Sequence, residues 1–339
     1  MSVHLDAVAA VVEATRFHSR TVYSWFGHPI PDLPPRIRRS LDEGGTRAYM
    51  LEVLQGQLYS DFYSSGGARP TPAWAALVRW GRGGAFVAEL SRANCGVGHW
   101  EDGWEVKQVG ERGVVAEKDG LRVAAERGDI LAPAGERIAS GAGISLRMPK
   151  ELLNASPGFH LVLGDEPFDT PSGDRIIRFY WHLMPEGAVP FVAGLTHSLN
   201  SARLPFQAKV LSDPSVFSRC DAGVLYLRQR DFRAAAPVVA EVHRRLHPAL
   251  RPTTPALTKT LAPGLGFAEQ PPMGESYGLS RCRALGRGLI RAHEQGKTKR
   301  ADRLSVVVES LAAEGIDLEA PFLNRGSPDV YDFEAYGRG

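Results

Sequence analysis

Three side chains able to take part in acid–base chemistry alternate along one segment of the chain: Arg178, Tyr180 and His182. Successive side chains of a β-strand point to opposite faces, so these three would share one face while Phe179 and Trp181 occupy the other. A cation, a phenol and a titratable imidazole in one row are suited to proton transfer beside an anion. A solvated sheet face has the same pattern, and the alternation alone does not choose between the two interpretations.

Two further segments repeat the alternation. Residues 206–211 place Gln207 and Lys209 opposite an apolar row, and residues 222–228 place Tyr226 opposite leucines. If these strands pair with their polar faces aligned, the lysine and the tyrosine converge with the imidazole of the first strand. Because pairing register cannot be read from one sequence, this convergence is a prediction.

Loops and a helix start supply further groups that could hold an anion: Arg219, Lys259, Glu275, Ser276 and Arg281. Arg219 stands two residues before Asp221, so it could also form a simple surface ion pair. A glycine-bearing turn leads into a helix that carries Arg281 and Arg283. Backbone N–H groups at a helix N-terminus beside arginines favour phosphate, although such a turn is often only a helix cap.

Composition excludes several classes of protein. Lys+Arg 40 against Asp+Glu 38 gives no basic platform for nucleic acid or for an anionic membrane. The three cysteines are widely spaced, which fits a reducing compartment and argues against disulfides or a zinc site. The chain lacks a secretory signal, a long apolar run, a phosphate-binding P-loop, kinase signatures and the His-Glu-x-x-His and Gly-x-Ser-x-Gly motifs. We therefore expect a soluble cytoplasmic protein without a membrane span.

The pattern of elements predicts an α+β fold with a mixed or antiparallel sheet flanked by helices. From residue 84 to residue 130 the period is two, which predicts a β-meander with a hairpin turn at Asp119-Gly120. Helices are predicted at 8–15, 46–63, 74–80, 187–202, 232–247, 279–293 and 303–314, and strands at 175–183, 206–211 and 222–228. We place a helical and β-meander region at 1–150, a catalytic core at 151–331 and a tail at 332–339.

Six ordered segments resemble the HopA family of bacterial type III effectors. They occur in order across about half of the chain, at 178–183, 205–210, 219–226, 259–264, 274–282 and 321–327. Members of that family also stand beside peptide-modifying enzymes, as lyases of class V lanthipeptide and thioamitide biosynthesis. The resemblance thus implies that a separate kinase phosphorylates Ser or Thr of a precursor peptide, and that the HopA-like protein eliminates phosphate to give dehydroalanine or dehydrobutyrine. No cofactor is implied.

A more distant resemblance to phosphothreonine lyase effectors implies individual roles. Lys209 would be the base and His182 the acid. Tyr226 or Tyr180 would donate a hydrogen bond to the carbonyl that develops enolate character. The phosphate and substrate ligands would come from Arg178, Tyr180, Gln207, Arg219, Lys259, Glu275, Ser276 and Arg281. Gln207 stands where those lyases can present a second lysine, so phosphate binding would depend on arginines. Arg178 would bind phosphate or pair with a carboxylate across the sheet.

Two rival interpretations come from other classes of protein. In the first, a non-catalytic module of the same fold captures a peptide or a host protein. In the second, an effector injected into host cells would need a disordered polar leader, and an N-terminus rich in Ala and Val does not look like one. The N-terminal half would bind the peptide leader, contact the kinase or complete the core.

Overall fold

The computed structural model describes residues 2–30, 32, 34–70, 84–135, 137–170 and 173–333. The helix predicted at 74–80 and the tail beyond residue 333 lie outside these ranges. Within them, no helix has the length and apolar character needed to cross a membrane.

The helices follow the apolar spacing of the sequence. In α5, Phe191, Leu195 and Leu199 recur at helical intervals, and all three are buried. Asp42 caps α3 by accepting the Gly45 N–H, and α3 continues into a π-helical turn at Tyr59–Tyr63. The helices are α1 (Val3–Ala14), α2 (Pro35–Ser40), α3 (Glu43–Leu58), α4 (Gly84–Ala93), α5 (Ala188–Ser201), α6 (Phe232–Leu246), α7 (Tyr277–Glu294) and α8 (Arg300–Ala313).

The strands form three antiparallel sheets, which confirms the predicted α+β fold with an antiparallel sheet. A small sheet contains β1 (Thr15–Phe17), β2 (Tyr23–Trp25) and β3 (His28–Pro29). A five-stranded sheet, in the order β6-β5-β4-β8-β7, contains β4 (His99–Val109), β5 (Gly113–Lys118), β6 (Leu121–Glu126), β7 (Ile130–Leu131) and β8 (Gly143–Met148). The central seven-stranded sheet, in the order β14-β15-β11-β13-β12-β10-β9, contains β9 (Glu151–Ser156), β10 (Phe159–Leu163), β11 (Ile176–Trp181), β12 (Gln207–Leu211), β13 (Gly223–Arg228), β14 (Lys259–Ala262) and β15 (Leu265–Glu269).

The predicted hairpin turn between β5 and β6 is confirmed. Asp119 and Gly120 both have positive φ, 52° and 80°, as a type I′ turn requires. The prediction of period two from Gly84 onward is wrong for the first ten residues, which form α4. Phe86, Leu90 and Ala93 pack against the core at helical spacing, so helical burial decides that segment.

The Gly/Pro-rich segment after Lys259 is a β-hairpin that the sequence analysis did not predict. It joins β14 to β15 through Gly264, whose φ is +74°. A Cβ at this position would lie 2.4 Å from the backbone oxygen of Arg251, so only glycine fits the turn.

Two hydrophobic clusters lie in the described part of the chain. The larger one surrounds the seven-stranded sheet and contains Val8, Leu54 and Tyr63 together with Phe179 and Leu285. It therefore takes side chains from both sides of position 150, and a domain boundary there stays a prediction. The smaller cluster lies within the five-stranded sheet and consists of Trp104, Val106, Val114, Ala116, Ile144 and Leu146.

Buried His243 on α6 predicts a loss of stability in acid. Burial lowers the pKa of His243 from 6.5 to about 4. Above pH 6.5 His243 is neutral in both the folded and the unfolded chain, and its contribution to stability is complete. As the pH falls from 6.5 towards 4, the unfolded chain binds a proton at His243 before the folded chain does, so the free energy of unfolding decreases. Thermal melts should show a smaller drop in Tm between pH 7 and pH 5 for His243→Gln than for wild type. His197→Gln, at an exposed position on α5, is the control; equal drops for wild type and His243→Gln would contradict the prediction.

Candidate active site on the central sheet

Strand register brings the polar rows of three strands onto one face of the central sheet. Arg178 pairs with Tyr226, which pairs with Gln207; one pleat further along, Tyr180 pairs with Val224, which pairs with Lys209. The predicted alignment of polar faces is confirmed for these strands. Tyr180 and Lys209 are two strands apart, so their Cα atoms lie about 10 Å from each other. Long side chains span such a distance.

The β11 row of this face is covered by protein rather than by solvent, while Gln207, Lys209 and Tyr226 are half-buried. Arg178 is 6% exposed, Tyr180 3% and His182 2%. The cover comes from the π-helical turn after α3 and from the start of α7. The Tyr63 ring meets Tyr180 edge-on at 6.4 Å between centroids, and the Tyr277 ring lies 6.4 Å from Tyr180. The interpretation of this row as a solvated sheet face is therefore wrong.

Lys209 lies half-buried on this face among aromatic rings. Its Nζ is 4.3 Å from the centroid of Phe159 and 5.9 Å from that of Tyr226. Across the described residues, the amine forms no hydrogen bond and no ion pair. Ring contacts and the charge of Asp221 thus act on this amine, and its N–H groups have no hydrogen-bond partner among the described residues.

Arg178 is a buried cation with neutral partners. Its Nε and Nη2 donate to Gln270 Oε1 at 3.2 and 2.7 Å, and Nη2 also donates to the Glu275 backbone oxygen at 3.0 Å. Its guanidinium lies over the Tyr226 ring, 5.0 Å from the centroid. The predicted alternative of a carboxylate partner across the sheet is not what the structure shows. A buried cation without a carboxylate is costly unless an anion joins it.

Arg219 forms a bidentate pair with Asp221, with Nε and Nη2 at 2.9 and 2.8 Å from the two carboxylate oxygens. Tyr59 donates its hydroxyl to Asp221 at 2.8 Å and accepts from Arg219 at 3.1 Å. Burial alone would raise the pKa of Asp221, but Arg219 and Tyr59 outweigh it and hold this pKa below its ordinary value. The local ion pair between Arg219 and Asp221, one of the alternatives that the sequence allowed, is present. Tyr59 links this pair to the N-terminal region by hydrogen bonds.

His182 lies one pleat beyond Tyr180, just past the end of β11. Its Nδ1 lies 2.8 Å from Thr253 Oγ1, and its Nε2 is buried without a hydrogen bond within the described ranges. Burial lowers the pKa of His182 below 6.5, so the neutral imidazole dominates at pH 7. The Tyr180 hydroxyl is also buried; it makes no well-directed hydrogen bond to a described residue, but it interacts with Tyr63 and with the Arg178 guanidinium. His182 Nε2 is thus a buried polar atom without a partner in the described part of the chain.

Four of the predicted ligands lie outside this group. Lys259 pairs with Phe267, which pairs with Phe179, so it stands on the opposite face of the sheet. There its Nζ binds the Asp329 carboxylate at 2.7 Å. Arg281 is 4% exposed and donates to the backbone oxygens of residues 321 and 323.

Glu275 and Ser276 lie at the start of α7. The Glu275 carboxylate pairs with Arg283, and only its backbone oxygen reaches the site, through Arg178. Ser276 is the N-cap residue of α7, but its side chain makes no capping bond. The structure thus gathers Arg178, Tyr180, Gln207, Lys209, Arg219 and Tyr226, with His182 at the margin.

Six residues of the site were absent from the predicted set: Tyr59, Tyr63, Phe159, Asp221, Gln270 and Tyr277. Tyr59 and Tyr63 approach the sheet from a helix more than a hundred residues upstream, and no spacing in the sequence signals that contact. Phe159 begins β10, a strand that was not predicted. Only long-range covariation of positions would have pointed to them.

One of the comparisons with known proteins identifies a family. The model of the HopA1 effector protein family matches residues 148–323, slightly more than half of the 339 residues. The chain belongs to the HopA1 effector protein family. The matched stretch of this HopA1-family protein contains every site residue predicted from the sequence, while Tyr59 and Tyr63 lie outside it.

Two solved effector structures are similar to this HopA1-family protein. An effector of Pseudomonas syringae pv. syringae strain 61 is 15% identical, with 96% of this chain and 98% of that chain covered and a TM-score of 0.45. An effector of Pseudomonas syringae pv. tomato strain DC3000 is 21% identical, with 51% of this chain and 66% of that chain covered and a TM-score of 0.39. No curated protein sequence matches the chain.

Proposed function

We propose that this HopA1-family protein is a phospho-Ser/Thr lyase that eliminates phosphate from a ribosomal precursor peptide. One observation carries the proposal. On one sheet face, the guanidinium groups of Arg178 and Arg219 and the amine of Lys209 lie together with one carboxylate, that of Asp221, among the described side chains of the site. The net positive charge of this group attracts a phosphomonoester, which carries about −1.5 to −2 at pH 7.

The side chains divide the elimination between them. Lys209, as the free amine, takes the Cα proton of the phosphorylated residue and becomes an ammonium, and the electron pair of that C–H bond forms the Cα=Cβ double bond. The Cβ–O bond breaks and phosphate leaves with its electrons. The buried Tyr180 hydroxyl and the Tyr226 phenol are the donors proposed for the carbonyl oxygen as it gains enolate charge. The product residue is dehydroalanine from phosphoserine or dehydrobutyrine from phosphothreonine.

His182 is the proposed acid for the departing phosphate. Because burial lowers its pKa, the free protein holds it mostly neutral at pH 7. A phosphate dianion bound nearby favours the imidazolium and so offsets the burial. The buried Nε2, which has no partner in the described structure, is the atom that would carry the proton.

The partners in this proposal come from the family resemblance. A separate Ser/Thr kinase would install the phosphate in the cytoplasm, and the lyase would then act without ATP and without a cofactor. Lys259 and Arg281 have no part in the phosphate site, because each is engaged elsewhere in the fold.

The direct test supplies a chemically phosphorylated precursor peptide without ATP. We expect mass spectrometry to show loss of phosphoric acid from the peptide, and a thiol added afterwards to react with the new double bond. The unphosphorylated peptide is the control. Peptide binding without loss of phosphoric acid between mildly acidic and mildly basic pH would reject the lyase and favour the non-catalytic module.

A further inference from the structure

We propose that Tyr59 and Asp221 are positioning residues that aim Arg219 at the substrate phosphate. The N-terminal region would then supply part of the phosphate site, since Tyr59 opens the π-helical turn that follows α3. This inference rests on the proposed lyase function. It assigns a role to Tyr59, which lies outside the family match, and to Asp221, which the sequence suggested only as the partner of Arg219 in a surface ion pair.

The hydrogen bonds of Arg219 leave one edge of the guanidinium open. Asp221 accepts from Nε and Nη2, and the Tyr59 oxygen accepts from Nη2. A guanidinium has five N–H donors in a fixed plane, so both N–H groups of Nη1 are left without a partner in the described structure. The Arg219 side chain is 30% exposed, so it is not closed off from a ligand.

Ring contacts fix the plane of the guanidinium as well. Its Cζ lies 5.5 Å from the Tyr59 ring centroid and 5.5 Å from that of Phe159. Lys209 Nζ approaches the same Phe159 ring at 4.3 Å. The proposed phosphate ligand and the proposed base therefore contact one and the same buried ring.

The Tyr59 hydroxyl links the two charged partners. It donates to Asp221 and accepts from Arg219, which a neutral phenol can do at once. Burial and the nearby carboxylate raise the pKa of Tyr59 well above its ordinary value, so the hydroxyl keeps its proton. Loss of this hydroxyl would free the Asp221–Arg219 pair to rotate without removing either charge.

The variant Tyr59→Phe tests this role because it keeps the ring and removes the hydroxyl. Inorganic phosphate, titrated by calorimetry, should bind about tenfold more weakly, the usual size of a hydrogen bond to a charged group. For the phosphopeptide, KM should rise in step while kcat stays near that of wild type. Tyr49→Phe, in α3, is the matched control, because its hydroxyl makes no hydrogen bond to any described residue.

A double-mutant cycle with Arg219→Lys separates positioning from general loosening of the fold. If Tyr59 acts through Arg219, Tyr59→Phe should weaken phosphate binding little further in the Arg219→Lys background. Additive losses, unchanged phosphate affinity in Tyr59→Phe, or no phosphate binding by wild type would each overturn the inference. If wild type eliminates phosphate and Tyr59→Phe does so with the same KM and kcat, the positioning role is rejected and the proposed lyase function is upheld. Weakened phosphate binding through Arg219 in a protein that eliminates nothing would uphold the positioning role and reject the lyase.

Discussion

Replacing Lys209 with arginine should lower the rate of phosphate elimination by about 10²- to 10⁴-fold, the contribution usual for a positioned base. Arginine keeps the positive charge and the ring contacts with Phe159 and Tyr226. It cannot give up its proton at any working pH, so it cannot take one from Cα. Phosphopeptide affinity should stay within a few fold of wild type. Single-turnover rates followed by mass spectrometry, beside affinities from fluorescence anisotropy, measure the two effects separately.

Lys297→Arg is the matched control for this substitution. Lys297 is exposed in the turn between α7 and α8, far along the chain from the sheet face. The Lys297→Arg variant should eliminate phosphate at the wild-type rate. If Lys209→Arg kept that rate too, Lys209 would not be the base; if it lost phosphopeptide binding and turnover together, its role would be to hold the substrate.

Replacing Gly278 with alanine should destabilise the protein by about 1–3 kcal/mol, the usual cost of overpacking. A Cβ at this position on α7 would lie 2.3–2.7 Å from three ring atoms of Tyr63. Tyr63 is 1% exposed and packed against Tyr180, so its ring has little room to retreat. Because the Tyr63 ring covers the site, the rate of phosphate elimination should fall together with the free energy of unfolding. Chemical denaturation followed by tryptophan fluorescence gives the free energy of unfolding.

A second helical glycine provides the opposite expectation. A Cβ at Gly56 in α3 would meet nothing within 4 Å. Gly56→Ala should therefore stabilise the protein by about 0.5–1 kcal/mol, since alanine loses less backbone freedom on folding. Equal free energies of unfolding for the two variants would show that the Tyr63 contact does not constrain α7.

Side-chain alternation was enough to predict which residues share a face of the central sheet. Arg178, Lys209 and Tyr226 lie on one face, as their parity along three strands indicated. Helical spacing located α5 and α6 within one residue at each end. These features are local, because each depends on neighbours a few positions away in the chain.

The rest depends on contacts that no local pattern encodes. Lys259 has the same chemistry as Lys209, but the pairing of β14 with β15 turns it to the opposite face. Arg281 lies in the first turns of a helix, as expected, yet its guanidinium donates to a distant backbone carbonyl at residue 321. Tyr59 reaches Asp221 across 162 positions of sequence. Register and long-range packing set these outcomes, and both are properties of the folded whole.

The core around the central sheet takes apolar side chains from well outside the family match at 148–323. Val8 and Leu54 precede that stretch and Tyr331 follows it, and all three are buried. The segment that the family model matches is therefore smaller than the hydrophobic core to which it contributes. If the chain were cut at residues 148 and 323, the segment would present its inner apolar surfaces to water and tend to associate. A fragment of this chain with those bounds would need another cover for these surfaces.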